Sequence, residues 1–194
     1  MVQNYELYFI LKPNLSPNIS HEINENFKNL ITSELKAEGV SMSQEGLRKL
    51  AYPIKKEVNG FYCLIDFDLT LENSNLLSKL EKALNLEENI MRFLIVNQTD
   101  FIKQSNKQQL KESEVVNHRD LNKGKKNKKS LPEFLGMRVI DYKDVDFLNQ
   151  FTSPYSKIFG KHRTGTTSKF QRKISIAVKK ARHMALMPFT PKHS

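Results

Sequence analysis

An α+β fold is predicted: a four-stranded β-α-β-β-α-β sheet unit, then a flexible basic linker, then a small basic and mainly α-helical unit. Three observations predict it. Residues 1–98 alternate runs of β-branched and aromatic residues with two amphipathic stretches. Residues 99–132 turn to Lys, Asn, Gln, Ser and Glu and lose periodic apolar spacing. Residues 119–194 hold 18 Lys+Arg against 5 Asp+Glu, whereas residues 1–118 hold 13 against 16. Balances of −3 and +13 within a net +10 mark residues 133–194 as a unit apart from 1–98.

Each element follows from its residues. Residues 5–11 are a strand by composition, ended by Pro13, Asn14 and Pro17. Asn18 or Ser20 can cap a helix whose Ile23, Phe27, Leu30, Ile31 and Leu35 keep the 3, 4, 7 spacing of one apolar face, with Gly39 closing it. The run 40–54 reads as strand, because Gly46 and Pro53 interrupt any long helix. Residues 55–60 are turn-like and 61–67 form a third strand. A second helix is expected over 72–84, with Leu76, Leu77, Leu80 and Leu84 on one stripe, and a fourth strand over 90–96. This order is the split βαβ, or ferredoxin-like, plan.

Alternation along the strands assigns the faces. Phe61, Cys63, Ile65 and Phe67 share one, so Cys63 is expected as a small core hydrophobe. Tyr8, Ile10, Tyr62 and Leu64 share the other, with contributions from Leu94 and Val96. Two helices cover one side of such a sheet, so the second side is expected to be an apolar docking face.

The basic unit carries the functional signal. A short helix is expected over 145–151, capped by Asp144 and stopped by Pro154. Gly160 and Gly165 flank a basic loop, and a helix follows over 167–187. At ~100° per residue, Phe170, Ile174, Ala177, Val178, Ala181, Met184 and Ala185 fall in one apolar arc. Lys169, Arg172, Lys173, Lys179, Lys180 and His183 fall opposite, with Ile176 the lone exception and Arg182 at the margin. Cations in a first helical turn oppose the helix dipole, and phosphate oxygens can compensate them. No Asp or Glu occurs between Lys157 and Met187, so a self-paired charged surface is disfavoured. The expected phosphate contacts, to RNA or DNA, are Lys161, His162, Arg163, Thr164, Lys169, Arg172, Lys173, Lys179, Lys180 and Arg182, with Arg48 and Lys55 as weaker candidates in the sheet unit. The linker run KGKKNKK at 123–129 can touch phosphates or stay solvated.

Other classes lack their signatures. No apolar run approaches the ~20 residues of a membrane helix, and the start lacks the pattern of a secretory signal, so a cytoplasmic protein without membrane contact is expected. A single cysteine excludes an internal disulfide and a multi-cysteine zinc site. There is no Walker or dinucleotide loop, no HExxH and no GxSxG, and His21, His118, His162, His183 and His193 lie far apart. Asp66 and Asp68 share a strand face and read as a solvated edge. No catalytic residue, cofactor or metal is expected.

Two resemblances follow from motifs. YELYFILKPNLS, GLRKLAYPIKK, NGFYCLIDFDL and ENIMRFLIV together resemble bacterial small-subunit ribosomal protein six over residues 2–98. IDYKDVDFLNQF and KIFGKHRTGTTSKFQRKISIAVKKARHMALMPFT resemble bacterial small-subunit ribosomal protein eighteen over residues 134–194. The resemblance implies a fused structural protein that binds the central domain of small-subunit ribosomal RNA at the platform, beside neighbouring platform proteins. It also implies that the two halves pair as a tethered couple, Tyr8, Ile10, Tyr62 and Leu64 meeting Phe170, Ile174, Ala177, Val178 and Ala181. Many members of the second family carry a cysteine pair where this chain reads PEFLGMRV, so a metal site is not expected. The tail common in the first family leads here into the basic linker.

Two rival readings use the same sheet. An RRM-like regulatory protein shares the β-α-β-β-α-β order and stacks single-stranded RNA on third-strand aromatics. Gly60 and Phe61 fit the start of that signature, but Cys63 stands where its second stacking aromatic belongs and no basic residue precedes Gly60. A domain-swapped or homo-oligomeric protein would use the open face for a second copy. The fate of that face separates these readings.

Overall fold

The computed structural model describes residues 2–98 and 140–191. The expected linker, its KGKKNKK run and the PEFLGMRV stretch lie outside them. The described residues divide between two compact units. The first is built on residues 1–99 and also takes in Met184–Leu186.

In the first unit β1 (Val2–Leu11), α1 (Pro17–Ser33), β2 (Glu38–Ile54), β3 (Glu57–Thr70), α2 (Leu77–Leu86) and β4 (Ile90–Asn97) follow the expected order. The sheet is antiparallel with strand order β2-β3-β1-β4. Its helix-covered face buries Leu7, Phe9, Leu11, Cys63, Ile65 and Phe67 against Ile23, Phe27, Ile31, Leu80 and Leu84. Cys63 is thus a core residue, and burial pushes its thiol up to about 11.

Several boundaries move for identifiable reasons. Ser16, not Asn18 or Ser20, caps α1: its hydroxyl accepts from Ile19 N at 3.4 Å, and Pro17 takes the first turn, where it has no amide to waste. Pro17 therefore starts the helix. Its end comes at Ser33, before Gly39, and Lys36 adopts φ 52°. The second helix is shorter than expected, because Leu71–Leu76 wind as a 3₁₀ turn ahead of α2. The β2–β3 turn narrows to Lys55 and Lys56, both at positive φ (50° and 72°), the handedness that matches strand twist in a two-residue hairpin. Gly46, at φ 87°, sits where the β2–β3 register shifts after Gln44.

The helix-free face is buried at its centre. Tyr8, Ile10 and Tyr62 are fully buried and Leu64 is half-buried. The rings of Tyr8 and Tyr62 lie 5.4 Å apart, and Tyr8 donates to Glu45 Oε2 at 2.5 Å. Tyr62 donates to the carbonyl of Met184 at 2.8 Å. Ala51, on edge strand β2, donates its N–H to the carbonyl of Ala185 at 2.8 Å. Both bonds lie inside the first unit, since Met184–Leu186 belong to it.

Candidate nucleic-acid interface

The second unit is described from Ile140 to His183 and from Met187 onward. It holds α3 (Val145–Asn149), α4 (Lys161–Thr164) and α5 (Ser168–His183). Asp144 caps α3 as expected, its Oδ1 accepting from Phe147 N at 3.1 Å. Phe147 and Phe151 meet edge-on at 5.1 Å, and α3 packs on α5. A bridge between Thr152 and Ile158 closes the intervening turn. The apolar arc of α5 is buried at Ile174, Ala177, Val178 and Ala181, whereas Phe170 is half-buried.

The basic loop is held by a polar lock that sequence reasoning missed. Gly165, at φ 66°, ends α4 and turns the chain so that Thr166 is buried. Thr166 donates to Gln171 Oε1 at 2.7 Å, and Gln171 Nε2 donates to the Phe159 carbonyl at 2.7 Å. Thr164 joins this network, its hydroxyl 2.9 Å from that of Thr166. One glutamine on the first turns of α5 thereby fixes both ends of the loop between Phe159 and Thr166. The signal was the TGT segment five residues ahead of Gln171, and it names no contact without a structure.

The expected RNA contacts divide by environment. Lys161, His162, Arg163, Lys169, Arg172 and Lys179 are exposed on α4 and α5. Arg163 lies 3.9 Å from the Phe159 ring centre, which presents its guanidinium as a flat platform. Lys173 and Lys180 are half-buried, and Lys180 Nζ approaches the Tyr142 ring at 6.0 Å. Thr164 uses its hydroxyl inside the loop. Arg182 turns inward: Nε donates to the Pro188 carbonyl at 3.1 Å, Nη2 to the Ser156 carbonyl, and burial lowers its pKa. Its position at the edge of the apolar arc accounts for this, so Arg182 leaves the set of candidate contacts and becomes a fold-holding residue.

The two weaker candidates lie in the first unit. Arg48 pairs with Glu45 at 3.1 Å, and Lys55 Nζ donates to the Ile90 carbonyl at 3.3 Å. The RRM-like reading loses its platform here, because Cys63 is buried in the helix-covered core and Phe61 packs against that same core. Among the described residues no group of three or more His, Cys, Asp or Glu is placed to hold a metal ion, and no helix is long and apolar enough to cross a membrane.

Comparison with known proteins separates the same two segments. The family model for ribosomal protein S6 matches residues 4–97, and the model for ribosomal protein S18 matches residues 137–187. Small ribosomal subunit protein bS6 of Azobacteroides pseudotrichonymphae is 39% identical over 97 residues, half of this chain and 83% of that protein. Small ribosomal subunit protein bS18A of Roseiflexus sp. is 46% identical over 68 residues, 34% of this chain and 77% of that protein. The chain belongs to both families.

It is an S6–S18 fusion, and both are families of structural, non-enzymatic proteins of the small ribosomal subunit. A bS18 of Flavobacterium johnsoniae is 56% identical over 54 residues, and the chain spans about half (55%) of that relative's length. The crystal structure of 30S ribosomal protein S6 from Thermotoga maritima covers 56% of this chain and 99% of its own, at 29% identity and a TM-score of 0.50. The ferredoxin-like expectation for the S6 segment therefore holds.

Proposed function

We propose that this S6–S18 fusion is a structural component of the small ribosomal subunit that binds the central domain of small-subunit ribosomal RNA and stabilises the platform. Neighbouring platform proteins are its other partners, and the ribosome in the cytoplasm is its location. The observation that carries this reading is the exposed row Lys161, Arg163, Lys169, Arg172 and Lys179, in a stretch of the S18 segment without one acidic residue. Such a row neutralises phosphates and releases their counterions, so affinity falls steeply with salt. The Thr166–Gln171 lock holds the loop and α5 in one geometry, so phosphates meet a preformed surface.

In this reading the two family segments act as a tethered pair, joined by a linker over 99–132. Support comes from Met184–Leu186, which lie within the S18 match yet group with the S6 sheet and receive bonds from Tyr62 and Ala51. Tethering raises the effective concentration of one segment for the other to roughly the mM range.

The test is binding of the whole chain to a central-domain fragment of small-subunit ribosomal RNA across a salt series, beside a scrambled RNA of equal length. The expected result is a preference for the ribosomal fragment that persists at physiological salt and is lost when Lys169 and Arg172 both become Ala. Equal affinity for both RNAs would overturn it.

A further inference from the structure

Glu45 is the extra residue of a bulge in β2. Gln44 stands opposite Cys63 and Gly46 opposite Tyr62 on β3, which leaves Glu45 between them without a partner position. Gly46 sets no side chain against the Tyr62 ring, and its φ of 87° is a conformation glycine adopts freely. From the bulge Glu45 reaches across β3 to β1, where its Oε2 accepts from the hydroxyl of fully buried Tyr8 at 2.5 Å. Arg48 braces the same oxygen at 3.1 Å. The Tyr8 ring lies against the Tyr62 ring, 5.4 Å between centres, and the Tyr62 hydroxyl donates to the Met184 carbonyl at 2.8 Å. Four side chains thus run in series from the edge strand to the segment Met184–Leu186.

The segment they lead to is strained. Ala185 has φ 51°, a left-handed conformation that a residue with a β-carbon keeps only where its surroundings dictate it. Its carbonyl takes the N–H of Ala51, which lies where β2–β3 pairing lapses between Lys49 and Ile54. Two donors on the sheet, Tyr62 and Ala51, therefore hold consecutive carbonyls and with them the turn that follows α5. We propose that Glu45 is the positioning residue for this docking. By holding the Tyr8 hydroxyl it fixes the Tyr8 ring, that ring fixes its neighbour, and the Tyr62 hydroxyl is aimed so that the sheet accepts Met184–Leu186 in one register. The proposal rests on the tethered-pair reading and adds to it the side chain of the S6 sheet that sets how the end of the S18 segment seats. A hydrophobic residue at position 45 would cover the face as well, but only an acceptor gives the two rings a direction. Without the carboxylate the buried Tyr8 hydroxyl has to find another acceptor, and its ring turns against Tyr62 to do so.

Amide hydrogen exchange of the whole chain reads this docking directly, because the Ala51 amide is bonded to Ala185 whereas the amides of the β1–β3 ladder are bonded within the sheet. Glu45→Ala is expected to lower the protection of Ala51 by ~10-fold, the scale of one buried hydrogen bond to a charged group, while the β1–β3 amides keep theirs. Glu45→Gln retains an acceptor and should stay within about threefold of the parent. Tyr8→Phe should lower Ala51 protection as Glu45→Ala does, and the double variant should fall no further than either alone. The positioning role is overturned, with the pairing left standing, by an unchanged Ala51 amide in Glu45→Ala, by an equal fall at the β1–β3 amides, by additive losses in the double variant, or by a Glu45→Gln loss as large as that of Glu45→Ala. An Ala51 amide that exchanges in the parent as fast as a solvent-exposed one overturns both.

Discussion

Gly60 and Ile10 leave no space between them. A β-carbon on Gly60 would fall well under 3.0 Å from Ile10 Cγ2, and would also lie 3.1 Å from Met91 Cε and 3.2 Å from Leu50 Cδ2. Gly60→Ala therefore forces β3 away from β1 on the helix-free face. The expected cost is about 1–3 kcal/mol, as for other overpacked cores. It should appear as a lower urea midpoint at an unchanged m-value. A midpoint equal to the parent's would mean that Ile10 has a second rotamer available.

Cys63 predicts an alkaline weakness. Burial raises its thiol from 9.0 to about 11, opposed in part by the Asn24 side chain. A raised pKa means that its contribution is complete below about pH 9 and is lost as pH rises towards 11. Two units correspond to on the order of 2–3 kcal/mol. Urea midpoints of the parent should fall faster between those pH values than midpoints of Cys63→Ala, which has no proton to lose. Parallel curves would remove the thiol from the account.

Asn24 is fully buried on α1, where its amide makes no hydrogen bond of normal geometry among the described residues and has only a weak interaction with the Cys63 thiol. A buried, unsatisfied amide costs stability. Replacing Asn24 with Leu, similar in size and free of polar atoms, is expected to stabilise the protein by about 1–2 kcal/mol. A thermal melt decides the matter, and a lower Tm would show that the amide is satisfied by an internal water.

Arg182 and Arg172 should separate stability from binding. Arg182 holds the Pro188 and Ser156 carbonyls, so Arg182→Ala is expected to cost about 1.5–3 kcal/mol of stability. Its effect on the salt dependence of RNA binding should be small. Arg172→Ala should leave the melting curve nearly unchanged and lower the slope of log K against log salt by roughly one phosphate contact. Reversal of the two phenotypes would exchange the roles assigned to them.

What the sequence disclosed tracks what is local and periodic. Strand alternation put Cys63 in the core, and the 3.6-residue repeat separated Ile174 and Val178 from Lys169 and Arg172, because both patterns are written in neighbouring residues. The Lys55-Lys56 turn was hidden, since neither residue carries the usual preference for positive φ. Ser16 is not legible as a cap because Pro17 reads equally as a breaker and as a first helical residue. Arg182 looked like its basic neighbours, and only the carbonyls of Ser156 and Pro188, brought near by folding, gave it another task. Gln171 carries no charge and no motif, so its part in shaping the loop could be found only from its partners.

The sharing of Met184–Leu186 with the S6 sheet has a temporal side. Tyr62 and Ala51 are synthesised early, yet their partners at Met184 and Ala185 emerge only after α3, α4 and α5 have been translated. Until then the sheet lacks these two backbone acceptors. A product that stops short of Met184 therefore leaves the Tyr62 hydroxyl and the Ala51 amide to water in place of these two carbonyls.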